Sequence, residues 1–225
     1  MPARRIAMLL AACALVAPAA ASADDPAPST GGTAAPVEDP GLTATAHLLV
    51  GKVAEFSGVL PGDAGRTVTI ERLDVETAAW LPIATATIAA DGAYLARWRA
   101  DVTGRMTTRA TISHDAESGA ALALAAPLET TMTVYRPATA SWYGPGFYGR
   151  TTACGLRMTR TLLGVAHRKL PCGAQVAITY KGKAITVPVV DRGPFKRGHD
   201  WDLTRAAATA LGFTYTDRIG AIPVD

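Results

Sequence analysis

The sequence predicts a mainly β protein built from two small domains, and three observations support this fold class. Short β-rich segments separated by turn residues fill residues 41–137. A proline, Pro137, then interrupts the pattern where the composition also changes. Beyond it, residues 138–225 contain two further β-rich runs and one helical segment. With 225 residues, 49% of them hydrophobic and 18% charged, the chain can bury two small cores and is not a disordered protein.

Residues 1–23 have the layout of a secretory signal peptide. Arg4 and Arg5 precede an apolar run over 6–16, and the small residues A-S-A at 21–23 form a cleavage site. The alternative is a lipoprotein signal, because L-A-A-C at 10–13 resembles the motif in which the cysteine, here Cys13, is lipidated. We favour plain secretion to the periplasm or cell wall, since the apolar run continues past Cys13. No apolar run reaches the roughly 20 residues of a membrane-spanning helix, so no transmembrane span is expected.

The next segments predict a linker and then a sandwich. Residues 24–40 are rich in Pro, Ala, Gly, Ser and Thr, which predicts a flexible linker. Residues 41–137 predict an immunoglobulin-like (Ig-like) or fibronectin-like β-sandwich. Its expected strands cover 48–56, 67–73, 84–89, 94–98, 107–113 and 130–135. The pattern is similar to bacterial Ig-like modules found as spacers in secreted proteins, so we expect a spacer without chemistry.

The last segment, 138–225, predicts a hairpin and a helix. Two β-rich runs, 175–180 and 184–190, flank the turn K-G-K at 181–183. A helix is expected over 205–211, with Thr204 as N-cap, Gly212 after its end, and Ala206, Ala207 and Ala210 on its packing face.

Charge is unevenly distributed between the two predicted domains. Residues 41–137 carry 8 Lys and Arg against 10 Asp and Glu, whereas residues 138–225 carry 12 against 5, a net charge of +7. In an exported protein such a basic surface favours an anionic extracellular polymer such as cell wall over nucleic acid. A solvated basic face without a partner is the alternative.

Cys154 and Cys172 are the two cysteines that remain once Cys13 is cleaved or lipidated. An even pair in an exported chain predicts a disulfide, and two buried thiols are the alternative. Closing the loop would contribute on the order of 3 kcal/mol.

Two residues stand out as acid/base candidates. Asp191 ends an apolar strand and is followed by R-G-P, a turn that projects its carboxylate at a rim, although a turn-capping role explains the same pattern. His167 precedes R-K-L-P, and a lone histidine is more often structural than catalytic. The four histidines are scattered, which excludes a zinc pattern, and no nucleotide-binding glycine motif is present. We therefore expect no cofactor and no metal.

Five motifs in order give this region a family resemblance. They are A-S-W-Y-G (140–144), G-R-T-T-A-C-G (149–155), V-A-H-R-K-L-P-C-G (165–173), V-D-R-G-P-F (190–195) and W-D-L-T (201–204). Together they resemble the RlpA (rare lipoprotein A) family over about 138–225. The resemblance implies a six-stranded double-psi β-barrel with a short helix.

The resemblance also implies an activity and a set of residues. RlpA-like enzymes are peptidoglycan lytic transglycosylases, in which the matching His and Asp act in catalysis, here His167 and Asp191. Substrate binding is expected from the motif residues and flanking aromatics, namely Tyr143, Tyr148, Arg192, Asp202 and Trp201. The loop glycines predict that Tyr143 and Tyr148 are exposed. Asp202 either lines the groove or braces the helix start, and we favour bracing.

One departure keeps a second class of function open. Family members that cleave glycans carry Glu directly after the glycine of the T-A-x-G motif, where this chain has Leu156. A non-catalytic wall-binding module of expansin or barwin type is therefore the alternative. In a third hypothesis the first domain contacts a cell-envelope protein partner. We expect a monomer that acts on peptidoglycan glycan strands and does not bind nucleic acid.

Overall fold

The computed structural model describes residues 42–112 and 128–224, which are built almost entirely from β-strands. The predicted signal peptide, the linker and Cys13 lie outside the described residues. Within the described ranges, no helix has the length and hydropathy needed to cross a membrane.

Two sheets pack around one hydrophobic core in the first part of the described chain. The smaller sheet contains β1 (Thr43–Ala44), β3 (Val53–Val59) and β6 (Ala93–Arg99). The larger sheet contains β2 (His47–Leu49), β4 (Thr67–Asp74), β5 (Ala79–Thr87), β7 (Gly104–Ile112) and the start of β8 (Leu128–Tyr143). Buried and accessible residues alternate along β6 and β7, the period of a strand with one face on a core. Phe56, Trp98, Val68 and Met132 come from both sheets and share that core.

Two strand predictions in this region need correction. The expected strand over 48–56 is two strands, β2 and β3, because a turn at 50–52 separates them. Gly51 has a φ of 82°, a left-handed conformation that glycine adopts without strain and that breaks the extended run. Strand β5 begins at Ala79, earlier than predicted, because its A-W-L-P start lacks the alternation that marked the other strands.

Strand β8 joins the two regions, and the prediction that the strand ends at Pro137 is wrong. Its first part pairs with β7 up to Val134 and with β2 up to Tyr135. From Arg136 it pairs instead with β13 (Asp217–Pro223). Proline removes one ladder hydrogen bond, and here the missing N–H falls where β8 exchanges partners. The described residues, 42–112 and 128–224, belong to one compact unit, and the domain division at residue 137 stays a prediction.

The second part of β8 belongs to a closed barrel. Its other strands are β9 (Val165–Ala166), β10 (Gln175–Tyr180), β11 (Lys183–Asp191), β12 (Trp201–Thr204) and β13. Around the barrel the order is β8, β12, β9, β11, β10 and β13, and β13 returns to β8. The six-stranded barrel is therefore confirmed, as is the tight hairpin, since Tyr180 pairs with Lys183.

The one helix of the described barrel, α1 (Arg205–Leu211), has the predicted bounds and caps. The Thr204 hydroxyl accepts a hydrogen bond from the Ala207 amide, and Gly212 adopts the left-handed conformation with φ 69°. Its buried face is Ala207, Ala208 and Leu211, whereas the predicted Ala210 is exposed. The packing face is thus rotated from the prediction because Leu211 supplies the largest apolar side chain.

Candidate active site

Four barrel strands bring the predicted site residues to one part of the molecule. Tyr143 ends β8, His167 follows β9, Asp191 ends β11 and Asp202 lies in β12. Strand β9 runs parallel to β11, and β8 runs parallel to β12. Strands β9 and β12 are antiparallel, so it is the cross-strand register that brings these residues together. Asp191 and Asp202 both lie opposite Ala166, and Asp202 lies opposite Ser141, which places the four residues side by side on the barrel.

Asp191 is half-buried, and three donors hold its carboxylate. Oδ1 accepts hydrogen bonds from the amides of Ala153 and Arg192, both at 2.8 Å. Oδ2 accepts from the Tyr143 hydroxyl at 3.2 Å. These three contacts fix the orientation of the Asp191 carboxyl group. The predicted turn-capping role is therefore present, because Oδ1 of Asp191 accepts from the amide of the next residue, Arg192. That cap involves Oδ1 only, and Oδ2 accepts from Tyr143.

Hydrogen bonds and a disulfide fix the turn that contains Ala153. The Thr152 amide donates to the Leu156 carbonyl at 2.7 Å, and the Leu156 amide donates to the Thr152 hydroxyl at 3.1 Å. Within this turn Cys154 forms the predicted disulfide with Cys172, with a Cα–Cα separation of 5.6 Å. Leu156, the residue after the glycine of this turn, is 44% exposed and faces solvent.

His167 is fixed by the backbone that follows it. Its Nδ1 accepts hydrogen bonds from the amides of Leu170 at 2.9 Å and Lys169 at 3.3 Å. An Nδ1 that accepts cannot carry the proton, so the neutral ring is protonated on Nε2. Burial, reinforced by the neighbouring Arg168 and Arg192, lowers the pKa of His167, which keeps the ring neutral at pH 7.

No hydrogen bond joins the side chains of His167 and Asp191, although both residues are described. The link between them is through the backbone, because the His167 amide donates to the Asp191 carbonyl at 3.2 Å. Arg192 strengthens this link, since its guanidinium donates to the carbonyls of His167 at 3.4 Å and Asp191 at 3.5 Å. Arg192, which the sequence analysis predicted to bind substrate, thus uses one guanidinium nitrogen for hydrogen bonds within the protein.

Trp201 lies beneath His167 in the barrel core. It is only 6% exposed, and its ring packs on the imidazole with centroids 4.5 Å apart. Little ring face is left for a sugar, so the structure places Trp201 as a support for His167 where the sequence suggested a binding residue.

Asp202 lies close enough to Asp191 and Tyr143 to interact with both electrostatically. Burial raises the pKa of Asp202, and the negative charge of Asp191 raises it further, while a hydrogen bond from the Ser141 hydroxyl at 3.0 Å opposes the shift. Burial and the two carboxylates also raise the pKa of Tyr143. The helix start is capped by the Thr204 hydroxyl, and the hydrogen bond of Asp202 goes to Ser141 on β8.

Two contributors to the site were missed by the sequence analysis. Ser141 lies two residues before Tyr143 and so shares its face of β8, a period that could have identified it. Ala153 contributes through its backbone amide, for which no side-chain pattern exists.

The expectation that Tyr143 and Tyr148 are exposed is corrected, because both are half-buried. Tyr148 folds back over Gly144, where an added Cβ would lie 2.8 Å from its hydroxyl. Phe147, at 48% exposure, is the exposed aromatic of this loop and packs edge-on against Tyr143. Glycine at position 144 therefore allows the Tyr148 hydroxyl to approach the backbone of β8's end closely.

The charged side chains of the barrel form no ion pairs among the described residues. All four ion pairs lie within 55–109, and none lies in the barrel. Three barrel arginines instead lie over aromatic rings: Arg150 over Phe147 at 5.7 Å, Arg160 over Tyr148 at 5.6 Å and Arg205 over Trp142 at 4.6 Å. Within the described ranges, no group of three or more His, Cys, Asp or Glu side chains could hold a metal ion.

Comparison with known proteins agrees with this barrel. Residues 137–225 match a family described as lytic transglycolase. A protein from Synechocystis sp. named "probable endolytic peptidoglycan transglycosylase RlpA" is 44% identical over 88 residues, which cover 38% of this chain and 27% of that protein. One of the same name from Aquifex aeolicus is 46% identical over 88 residues, 38% of each chain. An expansin structure from Clavibacter michiganensis is 24% identical, with a TM-score of 0.34, and covers 40% of this chain and 50% of that one.

Residues 137–225 are therefore an RlpA-like double-psi β-barrel domain. The chain spans about a third of the length of these curated relatives.

Proposed function

We propose that this protein is a lytic transglycosylase that cleaves the MurNAc–GlcNAc backbone of peptidoglycan and leaves a 1,6-anhydro product. The observation that carries the proposal is the Asp191 carboxylate, held at the barrel rim by Ala153, Arg192 and Tyr143. The names of the matched relatives support the same activity for this barrel.

The chemistry of this reaction requires one carboxylate. Hydrolysis of a glycoside uses two, because a second carboxylate must either activate a water molecule or attack the sugar as a nucleophile. In a transglycosylase the C6 hydroxyl of MurNAc attacks its own C1 as the bond from C1 to the glycosidic oxygen breaks. The protonated carboxyl donates its proton to the leaving oxygen, and the resulting carboxylate accepts the proton of the C6 hydroxyl, so the group ends as it began. We assign both transfers to Asp191.

The other site residues position the reacting groups. Because Nδ1 of His167 is engaged by the backbone, its Nε2–H is the donor that remains to orient a sugar hydroxyl. Tyr143 directs the Asp191 carboxylate. Asp202 lies beside Asp191 and accepts a hydrogen bond from Ser141, and burial raises its pKa. Tyr148, Arg192 and Trp201 complete the groove mainly by supporting its walls.

The remaining expectations belong to the same proposal. The protein is exported and acts as a monomer at the cell wall. The strands of 41–137 form an Ig-like spacer, for which two sheets on one core are the support.

Mass spectrometry of soluble products tests the proposal. The full chain without residues 1–23 is incubated with purified peptidoglycan sacculi, beside Asp191→Asn and the control Asp217→Asn. Asp217 is a barrel carboxylate whose described hydrogen bonds go to the Tyr180 hydroxyl and the Arg218 amide and not to the site residues, and asparagine keeps an acceptor there. We expect anhydro-muropeptides from the parent and the control, and a loss of about a hundredfold or more in Asp191→Asn.

A second candidate is a wall-binding module without catalysis, which the exposed Leu156 favours. In that case the parent protein co-sediments with the sacculi and releases no anhydro sugars. That result would replace the transglycosylase proposal with the binding one.

A further inference from the structure

Three Phe, Tyr or Trp side chains are exposed among the described residues, and two of them lie beside the candidate active site. Phe195 is 84% exposed and Phe147 is 48% exposed, and the third is Tyr215 at 59%. The aromatic residues that the sequence assigned to substrate are instead half-buried or buried. A ring left in water forgoes the free energy of burial, and its face remains available to a ligand.

Phe147 adjoins Asp191 through Tyr143. Its ring packs edge-on against the Tyr143 ring with centroids 5.8 Å apart, and the Tyr143 hydroxyl donates to Oδ2 of Asp191 at 3.2 Å. The Arg150 guanidinium lies 5.7 Å from the centre of the Phe147 ring. These contacts place the ring near the carboxylate and restrict its orientation.

Phe195 adjoins Asp191 through the turn that follows the aspartate. The Arg192 amide donates to Oδ1 of Asp191 at 2.8 Å, and Phe195 comes three residues after Arg192. The ring folds back along this turn, since a Cβ added at Gly193 would lie 3.7 Å from its Cε2 atom. Because Tyr143 contacts Oδ2, the two phenylalanines adjoin the carboxylate through different oxygens.

A sugar ring complements two such surfaces. In a β-linked N-acetylglucosamine unit the ring substituents are equatorial, so both faces of the sugar carry only axial C–H groups and pack well on an aromatic face. Cleavage of a glycan strand also requires one sugar on either side of the bond that breaks. Two exposed rings that flank one carboxylate therefore match a strand that crosses the carboxylate.

We propose that Phe147 and Phe195 are sugar-stacking platforms that hold the glycan strand across Asp191, one on each side of the bond to be cleaved. The choice of ligand rests on the proposed function. The two platforms differ in their second role. Phe147 packs on the residue that directs the Asp191 carboxylate, so it is also a positioning residue, whereas Phe195 contributes binding alone.

Calorimetric titration of the full chain with a GlcNAc hexamer tests the platforms without any need for cleavage. The hexamer has the β-1,4-linked backbone of peptidoglycan and no charge, so it reports stacking apart from the arginines. We expect Phe195→Leu to raise the Kd about fivefold to tenfold, because leucine is apolar but has no ring face. Phe195→Trp should keep the affinity of the parent. Since Phe195 is 84% exposed, neither change should lower the unfolding midpoint.

The matched control is Tyr215→Leu, which removes an exposed ring from the same barrel. Tyr215 lies between α1 and β13, and it interacts electrostatically with Lys181 in the turn between β10 and β11. It is not among the residues that contact Asp191, Tyr143 or Gly193. The control should leave the Kd unchanged.

Kinetics on soluble peptidoglycan glycan strands should separate the two platforms. Phe195→Leu should raise KM and keep kcat within about twofold of the parent, as expected when only binding common to substrate and transition state is lost. Phe147→Leu should lower kcat as well, because Tyr143 loses the ring against which it packs. Phe147→Trp should restore kcat in part.

Three outcomes would overturn the assignment. They are no binding of the hexamer at millimolar concentration, an equal Kd for Phe195→Leu and the parent, or equal losses in Phe195→Leu and Tyr215→Leu. Hexamer binding that depends on Phe195, with no anhydro product from sacculi, would sink the proposed function and leave the platforms standing. Anhydro product that forms from strands below KM as fast in Phe195→Leu as in the parent would reject the platform at Phe195 and leave the proposed function standing.

Discussion

The two regions that share strand β8 use their charges in different ways. In residues 42–112, arginines pair with carboxylates directly across neighbouring strands, as Arg97 does with Glu55 at 2.9 Å and Arg109 with Glu71 at 2.7 Å. In the barrel, arginines lie over aromatic rings or bond backbone carbonyls, and no described carboxylate pairs with them. Cross-strand pairing stabilises a sheet, whereas unpaired cations remain available to an anionic ligand. We therefore expect a structural role for the charges of the first region and a binding role for those of the barrel.

The largest expected effect comes from the disulfide between Cys154 and Cys172, which lies in the barrel region. The described residues of the first region contain no disulfide. Replacing both cysteines, Cys154→Ser with Cys172→Ser, should lower the free energy of unfolding by about 3 kcal/mol, since the loop is no longer closed in the unfolded chain. It should also reduce activity, because the turn that donates the Ala153 amide to Asp191 is released. Denaturant unfolding and product release measure the two effects. A stability loss below about 1 kcal/mol would contradict the first.

The barrel arginines that form no ion pairs should each contribute to wall binding, and we expect this effect to be smaller than that of the disulfide. The triple variant Arg150→Gln, Arg160→Gln and Arg205→Gln should weaken co-sedimentation with sacculi several-fold, and added salt should shrink the difference from the parent. The control removes the same charge from the first region by Arg97→Gln, Arg99→Gln and Arg105→Gln, which are all exposed. Equal weakening by the two variants would show that net charge acts without regard to position.

The ion pairs of the first region should differ among themselves in the free energy of unfolding. Arg109 and Glu71 have side chains 25% and 18% exposed, and Arg109 also lies 4.1 Å from the Trp80 ring centroid. Arg109→Ala should therefore cost about 1–2 kcal/mol. The Arg97–Glu55 pair is more than half exposed, so Arg97→Ala should cost less than about 1 kcal/mol. Thermal or denaturant unfolding of the two variants provides the ranking, and the reverse order would refute it.

The sequence predicted the barrel better than the region before it, for a physical reason. Hairpin turns and helix caps are local, so K-G-K at 181–183, Thr204 and Gly212 were sufficient to place their elements. The continuation of β8 through Pro137 is not local, since it depends on partners from β7 and β13 far away in the chain.

The site was predictable only in part. Motif order brought Asp191 and His167 to one rim, and the cysteine pair predicted the disulfide. Sequence could not show that Trp201 lies under His167, because an aromatic residue suits a core as well as a sugar platform. Nor could it reveal the Ala153 amide, which any residue at that position could donate.

The smallest of these effects concerns the pH dependence of stability at Asp202. Its pKa is raised in the folded protein, chiefly by burial, so the folded state binds a proton more tightly than the unfolded state does. The free energy of unfolding should then fall as the pH rises from the ordinary aspartate range through the raised pKa. Asp202→Asn removes this loss and keeps an acceptor for Ser141, so the variant should be more stable than the parent at pH 7 and no more stable at pH 3. Unfolding midpoints across this range provide the measurement, and a stability gap that does not change with pH would show that Asp202 titrates alike in both states.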